Sequence, residues 1–390
     1  MERYVTNAPP RFSTRPLIEP PNQVLPPKSA LPLEPTLTEK APGMRRPKPY
    51  RILRDIRSIS AHHYRNAAID NDDRLWIWGA KRPVRMEKAP NGFNRLIKDI
   101  EYVPQHVMDN VLSVCSGEDH YLCVTKDRKL WGWGENRYGE LGLGDCLPRT
   151  EPTIIADGVK RAFCGSRQSF FVKEDDSLWR SGYICTPQVG DLRSHVSLPQ
   201  FVMSDIKCVA VFEHSFLAVA LDDTLWFWGQ NNPKYFLGEK VYFHTDTPLP
   251  LLKGVCDFGR FPRMSSSIFL ITPCGDMYLL GIGADDALIP YQMMMDADGR
   301  PIKVMDNTCA AAKGRYSTLA LVNDGRLFAF GGNSAGECGT GKSTGIIRKP
   351  RRIMENVIAV EAGECHGLAL QKNGDLWIWG GDYSLSTPEA

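Results

Sequence analysis

The sequence predicts an all-β fold, a seven-bladed β-propeller over residues 49–390 preceded by a proline-rich extended arm over residues 1–48, and three observations carry that expectation. First, seven short apolar strands end in an aromatic residue followed three places later by glycine: Trp76/Gly79, Trp131/Gly134, Trp179/Gly182, Trp226/Gly229, Tyr278/Gly281, Phe328/Gly331 and Trp377/Gly380. Successive glycines lie 47 to 55 residues apart. Second, a proline with an aliphatic residue three places on keeps the same beat, at Pro49/Ile52, Pro104/Val107, Pro152/Ile155, Pro199/Val202, Pro248/Leu251, Pro301/Val304 and Pro350/Ile353. Third, twelve of the 28 prolines fall within residues 1–50, where helices and central strands are thereby excluded. A period of this size with several short strands per unit signals radial repetition.

Each unit reads as about four short antiparallel strands. In the second, VLSVCSG (111–117) precedes HYLCVTKDRKLWGWG (120–134), with KDRK as a polar hairpin turn. The ending recurs in LALVNDGRLFAFG (319–331) and LALQKNGDLWIWG (368–380), where Asp-Gly or Asn-Gly supplies residues that tolerate the positive φ of tight turns. A lone four-stranded sheet cannot bury both faces, whereas seven around an axis bury each against the next. Trp131 and Trp377 are expected to pack between blades. A strand from residues 49–60 beside the last unit is expected to latch the ring, because the chain stops ten residues after Gly380.

This arrangement resembles the regulator of chromosome condensation repeat family, whose unit combines a glycine-rich stretch of the type GxNxxGQLGxG with Pro-x-x-Val, Gly-x-x-His and a terminal hydrophobic-x-x-Trp-Gly. The resemblance spans residues 49–380. GENRYGELGLGD (134–145) and GGNSAGECGTGK (331–342) carry the glycine-rich part well, and GQNNPKYFLGE (229–239) is an eroded copy. Elsewhere it is replaced, as by residues 80–103 and 282–300, so those loops are this protein's own. The resemblance implies a seven-bladed propeller. It also implies, as an alternative function, guanine nucleotide exchange on a small GTPase, the activity of the founding member.

Composition bounds the function classes. A formal net charge of +2 is too balanced for nucleic acid as a general partner. No run of 18 apolar residues exists, so no membrane span is expected, and prolines replace the apolar core of a signal peptide. The eleven cysteines are scattered without a CxxC pair and read as reduced, buried small hydrophobes in an intracellular protein.

Chemical motifs resolve into structural ones. Gly336, Gly341, Lys342 and Ser343 satisfy the phosphate-loop pattern, but GIIRKP follows instead of a helix to receive phosphates, so nucleotide binding is not expected. His120, His214 and His366 recur eleven or twelve residues before the repeat aromatic, with His62 and His63 nearby. Gln168, Ser267 and Tyr316 or Ser317 replace them in other units, which suits hydrogen bonding better than metal or catalysis. Asp296, Asp298 and Gly299 lack the later ligands of a calcium loop and read as a turn. No catalytic constellation is recognisable, and no cofactor or metal is expected.

Two features point to partners. Apolar side chains, among them Tyr4, Phe12, Leu17, Ile18, Leu31 and Leu33, are interleaved through the arm more densely than a solvating tail needs. Basic residues cluster as Arg45, Arg46, Lys48, Arg51, Arg54 and Arg57, and again as Arg348, Lys349, Arg351 and Arg352, which ring closure would bring together as one positive rim. The expected function is therefore a non-enzymatic interaction module or scaffold. Its arm and loops mount a rigid disc on other proteins of a larger assembly, such as a virus particle, an organellar complex or a ribonucleoprotein. Nucleic acid enters only through the basic rim.

Overall fold

The structure, a computed structural model, describes residues 46–80, 85–88, 94–97, 100–184, 195–211, 215–231, 243–259, 267–281, 302–343 and 345–381. Seven four-stranded antiparallel sheets form the blades, and a small hairpin, Arg85–Lys88 with Asn94–Ile97, is inserted in the first. Blade 2 is typical. Its inner strand Val111–Ser116 pairs with His120–Thr125, then Leu130–Gly134, then the outer strand Arg149–Ala156. The arm, apart from its last three residues, lies outside the described residues.

The ring closes with strands from both chain ends. Arg46–Leu53 is the outer strand of blade 7, antiparallel to Leu376–Gly380, and begins three residues before the expected boundary. The expected latch of residues 49–60 is thus half right. Residues 56–62 turn inward after Asp55, which holds a φ of 59°, and become the inner strand of blade 1. The phase of the repeat also differs from a reading in which the second basic cluster enters the last unit. Each Pro-x-x-aliphatic segment is the outer strand of the preceding blade, so Arg348–Arg352 belongs to blade 6, in the outer strand Ile346–Met354.

The two markers have local physical causes. In blade 2, Gly132 pairs with Thr153 and Gly134 with Arg149, so two residues of one strand are spanned by four of the other. Pro152 sits in that bulge, where its missing N–H costs no ladder bond. The same register shift recurs around Pro49, Pro104, Pro199, Pro248 and Pro350. Past each bulge the aliphatic residue turns back onto the core: Ile52, Val107, Ile155, Val202, Leu251, Val304 and Ile353 all pack against the blade clusters. The terminal glycines need their identity for another reason. Gly134 has a φ of 112°, and a Cβ there would press into the Asp119 carbonyl oxygen.

The marker aromatics pack against clusters shared by adjacent blades, but they are not the most buried aromatics there. Trp131 and Trp377 are half-buried, and their indole N–H groups donate to Thr125 Oγ1 (3.1 Å) and Gln371 Oε1 (2.9 Å). The aromatics two places later are the more deeply buried. Trp228 and Trp379 are 0% and 1% exposed. Residues two apart share a face of the strand, so both members of each pair lie on one seam cluster, with the marker residue nearer the hairpin turn.

Candidate partner-binding surface

The basic clusters fall on the outer edges of adjacent blades. Arg348, Lys349, Pro350, Arg351 and Arg352 are all exposed on the outer strand of blade 6, and Lys48, Arg51 and Arg54 are exposed on or just after that of blade 7. A Cβ on Gly341 would lie 3.1 Å from Lys48 Cε, so the glycine-rich loop of blade 6 abuts the closing strand. Arg352 pairs with Glu355 (2.8 Å) and Arg51 with Asp375 (3.2 Å). Lys48, Arg348, Lys349 and Arg351 have no ion pair among the described residues. Arg57 does not belong to this rim. It lies on the inner strand of blade 1, donates to the carbonyls of Val111 and Leu112, and pairs with Asp73 (2.8 Å). Arg45 and the side chain of Arg46 lie outside the described residues, as do Tyr4, Phe12, Leu17, Ile18, Leu31 and Leu33.

Turns between the first and second strands of each blade share a face with the glycine-rich loops, because antiparallel strands alternate direction. One slot at the start of the second strand, paired with the terminal glycine, holds Arg65, His120, Gln168, Ser215, Ser267, Ser317 and His366. It links blades: His366 Nε2 lies 2.8 Å from Asn66 Oδ1, and His120 Nε2 2.9 Å from Ser169 Oγ. Arg65 donates to the Glu118 carbonyl (2.9 Å) and lies over the Tyr121 ring. Burial pushes His62 and His120 down to about 3, so both rings are neutral. These are structural ties, as expected. The slot of blade 4 belongs to Ser215, however, and His214 lies outside the described residues, as does the Asp296–Gly299 turn.

The apparent phosphate loop is a repeat loop. Asn333, fully buried, donates to the Lys342 carbonyl (2.7 Å) and accepts from Cys338 N (3.0 Å). Asn136 does the same in blade 2, donating to the Asp145 carbonyl (3.0 Å) and accepting from Leu141 N (2.8 Å). Glu140 and Glu337 cap the same turn through the amides of Tyr138 and Ala335, each at 2.8 Å. Burial pushes the Glu140 carboxyl up to about 7. Chain beyond Lys342 enters the outer strand and forms no helix. The Asn-x-x-Gly-Glu pattern was visible in sequence as a repeated spacing, but its caging role needed the loop.

Among the described residues no group of three His, Cys, Asp or Glu side chains is arranged to hold a metal, and no helix is long and apolar enough to cross a membrane. The cysteine expectation needs correcting in part. Cys123, Cys338 and Cys365 are buried, whereas Cys274 and Cys309 are exposed.

Comparison with known proteins follows the same division of the chain. The family model described as "Regulator of chromosome condensation (RCC1) repeat" matches residues 111–140, 127–172 and 324–370. The chain is 34% identical over 209 residues to the guanine nucleotide exchange factor SRM1 of Saccharomyces cerevisiae, covering 47% of this chain and 42% of that protein. It is 26% identical over 313 residues to the ultraviolet-B receptor UVR8 of Arabidopsis thaliana, covering 76% and 58%. The human E3 ubiquitin-protein ligase HERC2 is 27% identical over 267 residues, which cover 63% of this chain and 5% of the ligase. The chain thus spans less than two thirds of the length of these relatives. Among solved structures, human WBSCR16 superposes with a TM-score of 0.64 at 18% identity, covering 86% of this chain and 90% of that one. Yeast RCC1 (Prp20), solved bound to Kap60, gives 0.63 at 17%, covering 84% and 80%. Both likenesses concern the fold.

Proposed function

Because the chain belongs to the regulator of chromosome condensation repeat family, we propose that it is a non-enzymatic interaction module, a rigid propeller mounted in a larger protein assembly by its N-terminal arm and by the basic rim of blades 6 and 7. The observation that carries this reading is the rim itself. Lys48, Arg348, Lys349 and Arg351 are exposed without ion-pair partners among the described residues on the outermost strands of two adjacent blades. Such uncompensated charge contributes little to the ring and is available to a partner. The arm emerges from that same rim, since the closing strand begins at Arg46. The solved complex of yeast RCC1 (Prp20) with Kap60 supports the class.

The test is purification of the tagged chain from its native source. A stoichiometric complex that survives high salt supports the reading, and recovery of the chain alone contradicts it. Guanine nucleotide exchange on a small GTPase is the second reading, favoured by the 34% identity to SRM1. Acceleration of nucleotide release from a GTPase by catalytic amounts of the chain would establish it.

A further inference from the structure

We infer that the outer strand of blade 6, from Ile346 to Arg352, docks an acidic polypeptide segment that carries aliphatic side chains. This rests on the interaction-module reading and names the partner class for its rim. Exposure is unbroken from Arg348 to Arg352, so cations stand on both sides of the strand. The outer strands of blades 2 and 5 neutralise cations locally: Arg149 pairs with Asp145 at 2.7 Å, and Lys303 bridges Asp276 (2.9 Å) and Asp306 (2.6 Å). Blade 6 leaves three cations uncompensated side by side, which selects a polyanion.

Two features choose polypeptide over nucleic acid. Ile346 is 42% exposed beside the cations, and Pro350 is exposed among them. A phosphate backbone gains nothing from that apolar surface, whereas aliphatic side chains do. Single-stranded nucleic acid binding also relies on aromatic platforms for base stacking, and the strand IIRKPRRIM contains none. Recognition runs through side chains and not by strand addition. Pro350 supplies no N–H, and the bulge between Ile347 and Arg351 breaks the edge that another strand would need.

The experiment uses the full chain and fluorescence anisotropy at physiological salt with three labelled probes of equal charge: a Glu/Leu peptide, polyglutamate and a single-stranded oligonucleotide. The Glu/Leu peptide is expected to bind about tenfold more tightly than the oligonucleotide. Combining Arg348→Gln, Lys349→Gln, Arg351→Gln and Arg352→Gln should weaken it at least about tenfold, since four exposed ion pairs are lost. Ile346→Ser should weaken the Glu/Leu peptide several-fold and leave polyglutamate unchanged. Unaltered melting of both variants verifies the fold. Equal or tighter oligonucleotide binding overturns the inference in favour of nucleic acid, and indifference to the fourfold change removes the strip as the site. A native complex that persists while the strip binds no peptide would sink this inference alone.

Discussion

Apolar clusters fill the seams on both sides of the ring, but from blade 6 through blades 7, 1 and 2 to blade 3 polar side chains near the start of the second strands also bridge them. From blade 3 to blade 6 the described residues place aromatic rings there, and Arg161, donating to the Lys207 carbonyl (2.5 Å), is a polar tie between inner strands. The first arc holds Arg315–Glu364 (2.9 Å), Glu364–His63 (2.7 Å), His366–Asn66 (2.8 Å), Arg65 to the Glu118 carbonyl (2.9 Å) and His120–Ser169 (2.9 Å). The second holds Phe170 against Phe216 and Trp228, with ring centroids 5.2 and 6.0 Å apart, and Phe269 against Phe330 at 5.9 Å. Chain ends meet in the polar arc. Hydrophobic burial is non-directional and rewards any close approach. Buried polar groups are costly unless each meets its partner, so they accept one docking of blade 7 on blade 1. The difference teaches that bulk can fill this layer of a seam, while the polar arc, which contains the seam where the chain ends meet, adds directional ties.

The sharpest way to break that comparison is to remove bulk from the apolar arc. Trp228→Ala should cost roughly 3 to 5 kcal/mol, the range for a fully buried aromatic. Trp377→Ala, half-buried on its seam cluster, should cost less than half as much. Chemical denaturation giving equal losses would show that the half-buried aromatics pack as tightly as the fully buried ones.

Acid should attack the polar arc selectively. His62 and His120 are held near 3 against an ordinary 6.5, so the unfolded chain takes up their protons first. Their contribution is fully present above pH 6.5 and is lost as pH falls from 6.5 toward 3. Glu140, raised from 4.5 to about 7, has the opposite sign and stabilises as pH falls from about 7 to 4.5. Two histidines outweigh one carboxyl, and the net loss is about 1.4 kcal/mol per pH unit between 6.5 and 4.5, steeper below. His120→Gln, the residue that blade 3 carries in this slot as Gln168, should flatten the melting temperature against pH. An unchanged slope would remove His120 from the account.

The smallest expected effect is at Lys342. Its side chain is exposed and its carbonyl, not its amine, is held by Asn333. Lys342→Ala should leave melting within error of the parent. Calorimetry that found saturable nucleotide binding abolished by this change would reverse the reading of the blade 6 loop.

Much of the ring was legible because its requirements repeat. The terminal glycine answers to one backbone clash, the proline to one bulge, and the buried asparagine to one loop, and each recurs with the period. What stayed hidden depends on position within the period. Nothing in the spacing says that Pro350 completes the blade before it, because a repeat has a length but no origin. Trp377 and Trp379 look alike as residues and share a face of the strand, and only position along it separates the half-buried one from the fully buried one. Arg57 looked like its neighbours on the rim, yet the turn at Asp55 carries it to the inner strand. Arg65 stands in the histidine slot of blade 1, and a search for histidine passes it by in favour of His62 and His63.

Anchoring by the arm is the central functional claim, and deletion of residues 1–45 tests it most directly. The cut must stop there because Arg46 begins the strand that closes the ring. Melting of the truncated protein and its incorporation into the native complex are measured side by side. The account predicts a melting transition within error of the parent, since all seven sheets are built from residues 46–380. It predicts with it a strong loss of incorporation, because an extended proline-rich arm spreads many contacts over a partner at low ordering cost. A truncated protein that assembles at full stoichiometry, or one that no longer folds, would contradict it.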